Sequence, residues 1–298
     1  MKAIRNYLSL IKFSHTIFAM PFALIGFALA VMPALNHEAM EQAPLFDGPV
    51  ILRKFVLVIL CMVFARSSAM AFNRYLDKHF DALNPRTAIR EIPAGIISAN
   101  SALLFTIVCS LLFMLSAYFI NPLCFYLSPV ALLVILGYSY TKRFTPLCHL
   151  ILGLGLSLAP IGAYLAVTAH FHPLPVLFSL TVLTWVSGFD IIYALQDEEF
   201  DRTNKLHSIP AALGKTKALH VSELLHVLSG VFVIIAGMYG QFGWWYWIGV
   251  VVFIGMLVYQ HSIVKPTDLR RVNLAFMTAN GIASVVFAFF VILDLILS

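Results

Sequence analysis

Residues 55–81 read FVLVILCMVFARSSAMAFNRYLDKHFD, and this stretch decides the fold. Phe55 to Leu76 is apolar apart from Ser67 and Ser68 and the more strongly polar Arg66, Asn73 and Arg74, and it opens into Asp77 and Asp81. A hydrocarbon core is crossed by about 20 residues of helix, so a run of this length reads as one membrane span. Working outward, eight more segments of the same kind appear: Thr16–Leu35, Ala99–Ile120, Pro122–Tyr138, Pro146–Thr168, Leu174–Leu195, Ala218–Tyr239, Gly243–Gln260 and Val272–Leu297. Across all 298 residues, 61% are hydrophobic and 11% charged, with a mean hydropathy of +0.91. Soluble chains run about 45–50% apolar and about 25% charged. Disorder is excluded by the same figures, because it requires low hydrophobicity. The expectation is an all-α, polytopic integral membrane protein of nine transmembrane helices. It forms one domain over residues 1–298, with polar loops at about 77–98 and 196–217 and no large extramembrane part.

The charges give the topology. Of nineteen Lys and Arg, fifteen fall before the first span or after the second, fourth, sixth and eighth: Lys2, Arg5 and Lys12; Lys78, Arg86 and Arg90; Lys142 and Arg143; Arg202, Lys205, Lys215 and Lys217; Lys265, Arg270 and Arg271. Only Arg53 and Lys54 lie on the other side, and Arg66 and Arg74 lie inside the second span. Basic residues accumulate on the cytoplasmic side, so the N-terminus and the polar loops face the cytoplasm, with the protein integral to the inner membrane. The net charge of +5 follows from this topology, and nucleic acid is not needed to explain it. Lys2, Arg5 and Lys12 before an apolar run, with Ala28-Leu29-Ala30, imitate a signal peptide, but the run is long enough to stay as a span. The four cysteines sit in apolar stretches without a CxxC pair and read as small hydrophobes.

The two main polar loops echo each other. Asn73-Arg-Tyr-Leu-Asp77-Lys-His-Phe-Asp81, then Arg86-Thr87 and Ile92-Pro93-Ala94, is answered by Tyr193-Ala-Leu-Gln-Asp197-Glu-Glu-Phe-Asp201, then Arg202-Thr203 and Ile209-Pro210-Ala211. Two halves facing one central, cytoplasm-facing cavity are implied. At 100° per residue, Asn73, Asp77 and Asp81 fall within an arc of about 80°, as do Asp190, Tyr193, Asp197 and Asp201. Ionisable groups in or near lipid are costly and mark function. Carboxylates without imidazole or thiolate suit a hard cation such as Mg²⁺, which is held by one or two carboxylates and substrate phosphates. A diphosphate bridged by Mg²⁺ would satisfy both these acids and the surrounding cations.

Asn-x-x-x-Asp-x-x-x-Asp followed by Arg-Thr, the turn Tyr138 to Arg143, and the acidic stripe after Gly188-Phe189-Asp190 resemble the UbiA superfamily of intramembrane prenyltransferases. The resemblance covers nearly the whole chain. It implies Mg²⁺-dependent transfer of a polyprenyl group from a polyprenyl diphosphate to an aromatic carboxylic acid, 4-hydroxybenzoate-like or a dihydroxynaphthoate, for ubiquinone or menaquinone. By resemblance, Asn73, Asp77, Asp81, Asp197 and Asp201 form the metal cradle, with Asp77 and Asp197 also catalytic. Arg86, Arg90, Lys142 and Arg143 anchor diphosphate or acceptor, and Asp190 lies deeper, where it orients the acceptor or takes its proton. Tyr193, on the Asp190 stripe, is placed with the substrate-binding residues. Arg74 after Asn73, Glu91-Ile92 after Arg90 and His207-Ser208 depart from the common pattern, and the Asn-Arg and His-Ser-Ile-Pro forms resemble a menaquinone-associated branch.

Arg66, seven residues before Asn73, is assigned to the acceptor carboxylate. The pairs His170/His172 and Glu223/His226 are read as an outer loop and a buried polar pair, Asp294 as solvated, and Trp244, Trp245, Tyr246 and Trp247 as an interfacial belt. Gly153, Gly155, Gly162 and Ala163 are expected to permit close helix contact. Nothing calls for an obligate protein partner beyond the lipid bilayer. Two other functions compete: a secondary transporter with an intramembrane carboxylate relay, and an acceptor-independent cyclase on the same scaffold. A transporter needs polar residues that continue toward the outer face, where these helices are nearly bare.

Overall fold

The computed structural model describes residues 2–11, 18–32 and 48–297. Its helices are α1 (Lys2–Leu10), α2 (Met20–Val31), α3 (Gly48–Leu76), α4 (Lys78–Leu83), α5 (Ala99–Ile120), α6 (Pro122–Thr141), α7 (Cys148–Thr168), α8 (Pro173–Ala194), α9 (Glu198–Thr203), α10 (Ile209–Tyr239), α11 (Trp244–Ile263) and α12 (Asn280–Leu297). Leu195–Asp197 makes a 3₁₀ turn between α8 and α9, and Leu274–Ala279 a π-helical turn before α12. Among the described residues eight helices are long and apolar enough to cross a membrane. The first expected span is represented by α2, and its two ends, including Thr16 and Leu35, lie outside the described residues, as does Lys12.

Helix starts follow local chemistry. Ser98, Asn121 and Ser208 accept hydrogen bonds from Ser101 N, Cys124 N and Ala211 N, and prolines occupy the first turns of α6, α8 and α10. Two boundaries differ from expectation. Helix α3 begins at Gly48, so Arg53 and Lys54 are helical. Their long stems reach the carbonyls of Phe119 (3.4 Å) and Val167 (2.9 Å), in the last turns of α5 and α7. Helix α10 begins at Ile209 rather than Ala218 and bends at Gly214, where φ is 76°. The polar loop expected to end at 217 therefore ends at 208. The echo between the loops is structural as well: α4 and α9 are both six residues long and start 120 positions apart, at Lys78 and Glu198.

Helix α8 lies at the centre, packed between α7 and α10, while α2 packs on α7 and α12, and α11 on α12. Phe22, Phe178, Trp185, Phe253 and Phe287 are fully buried there and meet ring to ring at 5–6.5 Å, for example Phe22–Trp185 at 5.4 Å. Trp185 and Gln260 both donate to Asn280 Oδ1, at 2.8 and 2.9 Å. Such polar ties join helices where lipid supplies no hydrophobic drive between them. Gly26 lets α2 close onto the Pro160 backbone of α7, and Gly153 lets α7 approach Leu183 and Ser187 of α8. Gly155 and Gly162, by contrast, make no such approach.

Three smaller expectations are corrected. Asp294 is buried and accepts from Gly243 N (2.8 Å) and Tyr246 N (3.3 Å), capping the start of α11. Tyr246 belongs to the core and donates to Val233 O at 2.5 Å, whereas Trp244 and Trp245 are exposed. His226 pairs with His261 at 2.8 Å, and Glu223 is exposed.

Candidate active site

The first acid row keeps helical spacing across the α3–α4 junction, because Asp77 N bonds Asn73 O (2.9 Å) and Asp81 N bonds Asp77 O (2.7 Å). Asn73 Nδ2 donates to Asp77 Oδ2 at 3.0 Å, and Arg143 Nη2 donates to Asp77 Oδ1 at 3.0 Å. Asp81 is buried and accepts from Arg90 at 2.6 Å, with Arg74 4.0 Å away. The 3₁₀ turn after α8 presents the second row. Arg86 holds Asp197 with two prongs, one of them Nε at 3.0 Å, while Asn84 donates to Asp197 at 3.1 Å. Arg86 also donates to the Tyr193 hydroxyl at 2.9 Å. Asp201 is fully buried, 2.7 Å from Lys142 Nζ, and accepts from Ser208 Oγ at 2.9 Å.

Lys142 and Arg143, neighbours in the chain, thus reach opposite rows. Arg86, from the loop after the first row, reaches the second. The structure therefore brings together Asn73, Asp77, Asp81, Arg86, Arg90, Lys142, Arg143, Tyr193, Asp197 and Asp201 at one end of the helix bundle. Burial pushes the Asp77 carboxyl above the ordinary aspartate range, and this outweighs the opposing pull of Arg143. Burial works against the charged form of Lys142 and Arg86, but Asp201 and Asp197 outweigh it and raise both.

Asp190 lies about two turns deeper in α8. Its Oδ2 meets His149 Nδ1 at 2.7 Å. Arg66 and Tyr138 border a cavity of about 360 Å³ that runs along α3, α6 and α7 to Ile120 and Cys124, at the far ends of α5 and α6, and to Phe171 in the link between α7 and α8. Arg66 Nε is buried and has no hydrogen-bond partner among the described residues. Carboxylate and carboxamide oxygens are the donors available to a cation here. Among the described residues no three His, Cys, Asp or Glu side chains stand together as a ready cage.

Sequence reasoning passed over His149 and Asn84, and noted Ser208 only as a departure from pattern. Ser208 could have been found as the cap of a helix beginning Ile-Pro. His149 gave one signal, an imidazole inside an otherwise apolar span.

A span-rich fold carrying two acid rows joined by shared cations, together with an apolar cavity along its helices, fits a membrane enzyme for a substrate with an anionic head and a greasy body. The UbiA prenyltransferase family matches residues 19–289. A 4-hydroxybenzoate octaprenyltransferase of Nitrosomonas europaea is 31% identical over 264 residues, 89% of each chain. A solved UbiA homolog from Aeropyrum pernix K1 superposes with a TM-score of 0.77 at 27% identity, covering 95% of this chain and 97% of that one. A UbiA homolog from Archaeoglobus fulgidus, bound to GPP and Mg²⁺, shares the fold at 19% identity with a TM-score of 0.71, over 97% and 99% of the chains. The chain belongs to the UbiA prenyltransferase family and is a prenyltransferase.

Proposed function

We propose that this protein transfers a polyprenyl group from a polyprenyl diphosphate to the ring of a 4-hydroxybenzoate-like acid in quinone synthesis. It does so as one domain, 1–298, in the inner membrane, with α1 and the acid rows on the cytoplasmic side. One observation carries the reading: Lys142 and Arg143 join the two acid rows, on Asp201 and Asp77, and Asn73 and Lys142 each follow by four residues a residue that lines the apolar cavity, Ala69 and Tyr138. The names of the relatives favour 4-hydroxybenzoate over a dihydroxynaphthoate.

Mg²⁺ fits the donor set, because it accepts one or two carboxylates and completes its shell with phosphates and water. Asp81 Oδ2 is moreover buried without a hydrogen-bond partner among the described residues. Asn73, Asp77, Asp81, Asp197 and Asp201 would hold it. When bound, it supplies positive charge against the diphosphate as that group departs.

Arg86, Arg90, Lys142 and Arg143 exchange their carboxylate partners for phosphate oxygens and hold the leaving group in line. The cavity takes the isoprenoid tail and keeps water from the allylic carbon. Arg66 binds the acceptor carboxylate. The carbon–oxygen bond to diphosphate breaks, and a ring carbon bonds to the allylic carbon. The displaced ring proton then passes to Asp190, whose carboxylate becomes an acid as the ring regains aromaticity. Incubating the purified protein with a polyprenyl diphosphate, Mg²⁺ and a panel of aromatic acids tests this by mass spectrometry. A prenylated 4-hydroxybenzoate is expected. Diphosphate release with every aromatic acid unconsumed would overturn it in favour of the cyclase.

A further inference from the structure

His149 is 3% exposed, in the first turn of α7, and the chemistry described so far does not use it. Both of its ring nitrogens are engaged. Nε2 faces the backbone N–H of Ile209, at the start of α10, at 3.3 Å. An N–H can only donate, so Nε2 is the accepting nitrogen and the ring proton resides on Nδ1. Nδ1–H therefore donates to Asp190 Oδ2 at 2.7 Å. The backbone behind the imidazole is fixed too, because Ser187 Oγ in α8 donates to His149 O at 3.1 Å. Asp190 differs from the four carboxylates of the acid rows: each of those pairs with Lys or Arg, whereas its partner is a single imidazole. Oδ1 carries no hydrogen bond among the described residues, and the Asp190 side chain remains 23% exposed.

We propose that His149 is a positioning residue for the transfer reaction: it occupies one oxygen of Asp190 and so aims the other at the aromatic acceptor. This rests on the assignment of Asp190 to the acceptor. A carboxylate on a two-bond side chain can rotate, and a displacement of 1 Å costs about 100-fold in rate. The imidazole removes that freedom, because its own orientation is set from α10 and its backbone from α8. Ile209 N–H is one of the donors a helix start leaves without an internal partner, so it is available to set the tautomer.

The two ring nitrogens can be separated by substitution. In His149→Asn the side-chain amide N–H occupies the place of Nδ1 and can still donate to Asp190. In His149→Gln the amide reaches the place of Nε2, where its oxygen can still accept from Ile209. The test compares wild-type, His149→Asn and His149→Gln proteins in detergent, with farnesyl diphosphate, Mg²⁺ and 4-hydroxybenzoate, and reads kcat, both KM values and the melting temperature. The Asn variant is expected to retain most of kcat. The Gln variant is expected to lose about 100-fold in kcat, with its KM for farnesyl diphosphate unchanged and its melting temperature at least equal to that of the Asn variant. A Gln variant as active as wild type, or more active than the Asn variant, would leave His149 as a mere staple between α7 and α10 and overturn the proposal. A wild type that releases diphosphate without consuming any aromatic acid would overturn the acceptor reading itself, a different result.

Discussion

Arg86 grips Asp197 with two prongs across 111 positions of sequence, and this pair ties the loop after α4 to the turn after α8. An arginine fork matched to a carboxylate is also matched to a phosphate. The same side chain can therefore hold the two segments together and, in the proposed reaction, receive the diphosphate.

Asp77→Ala and Asp197→Ala should each reduce turnover by about 10²–10³-fold or more, because each removes a carboxylate that would hold the Mg²⁺ needed to offset charge on the departing diphosphate. Product formation by mass spectrometry measures this, with helix content by circular dichroism as the control for folding. Full activity in either variant would contradict the assignment.

The pH profile should carry the mark of Asp77. Its carboxyl ionises above the ordinary aspartate range, because burial disfavours the anion. As pH falls, it is therefore protonated earlier than a solvated aspartate, and the acidic limb of kcat/KM should lie correspondingly high. Arg143 opposes this shift, so Arg143→Met should move the limb further up in pH while lowering the rate. A limb that stays in place, or moves down, would count against Asp77.

Arg66→Met should raise KM for the aromatic acid by about tenfold or more and leave KM for the prenyl diphosphate unchanged. A charge-assisted hydrogen bond contributes about 1.5–3 kcal/mol, and only the acceptor is expected to make one there. Equal rises in both KM values would place Arg66 on the donor instead.

Gly26→Ala should destabilise the fold by about 1–3 kcal/mol, read as a lower melting temperature in detergent. Its new methyl would meet the Pro160 backbone of α7, which has no flexible end to move aside.

The spans were legible because about twenty apolar residues in a row leave few alternatives, and the acid rows because four-residue spacing survives both the α3–α4 junction and the 3₁₀ turn. Partner choice was not legible. Nothing local to Arg86 points to Asp197, or local to His149 points to Asp190, since both contacts exist only once distant helices pack. Hydropathy likewise missed residues 209–217 of α10, because it detects apolar residues rather than helical backbone, and Lys215 and Lys217 mask the helix. Asp294 read as solvated because two backbone donors from another helix are invisible in its own segment.

Under the proposed function both acid rows serve one site. Electron paramagnetic resonance of Mn²⁺ bound in place of Mg²⁺, with pyrophosphate as the probe anion, tests it most directly in wild type, Asp77→Ala and Asp197→Ala. Each single substitution should abolish the pyrophosphate-dependent bound signal. A variant in either row that binds Mn²⁺ and pyrophosphate as tightly as wild type would contradict it.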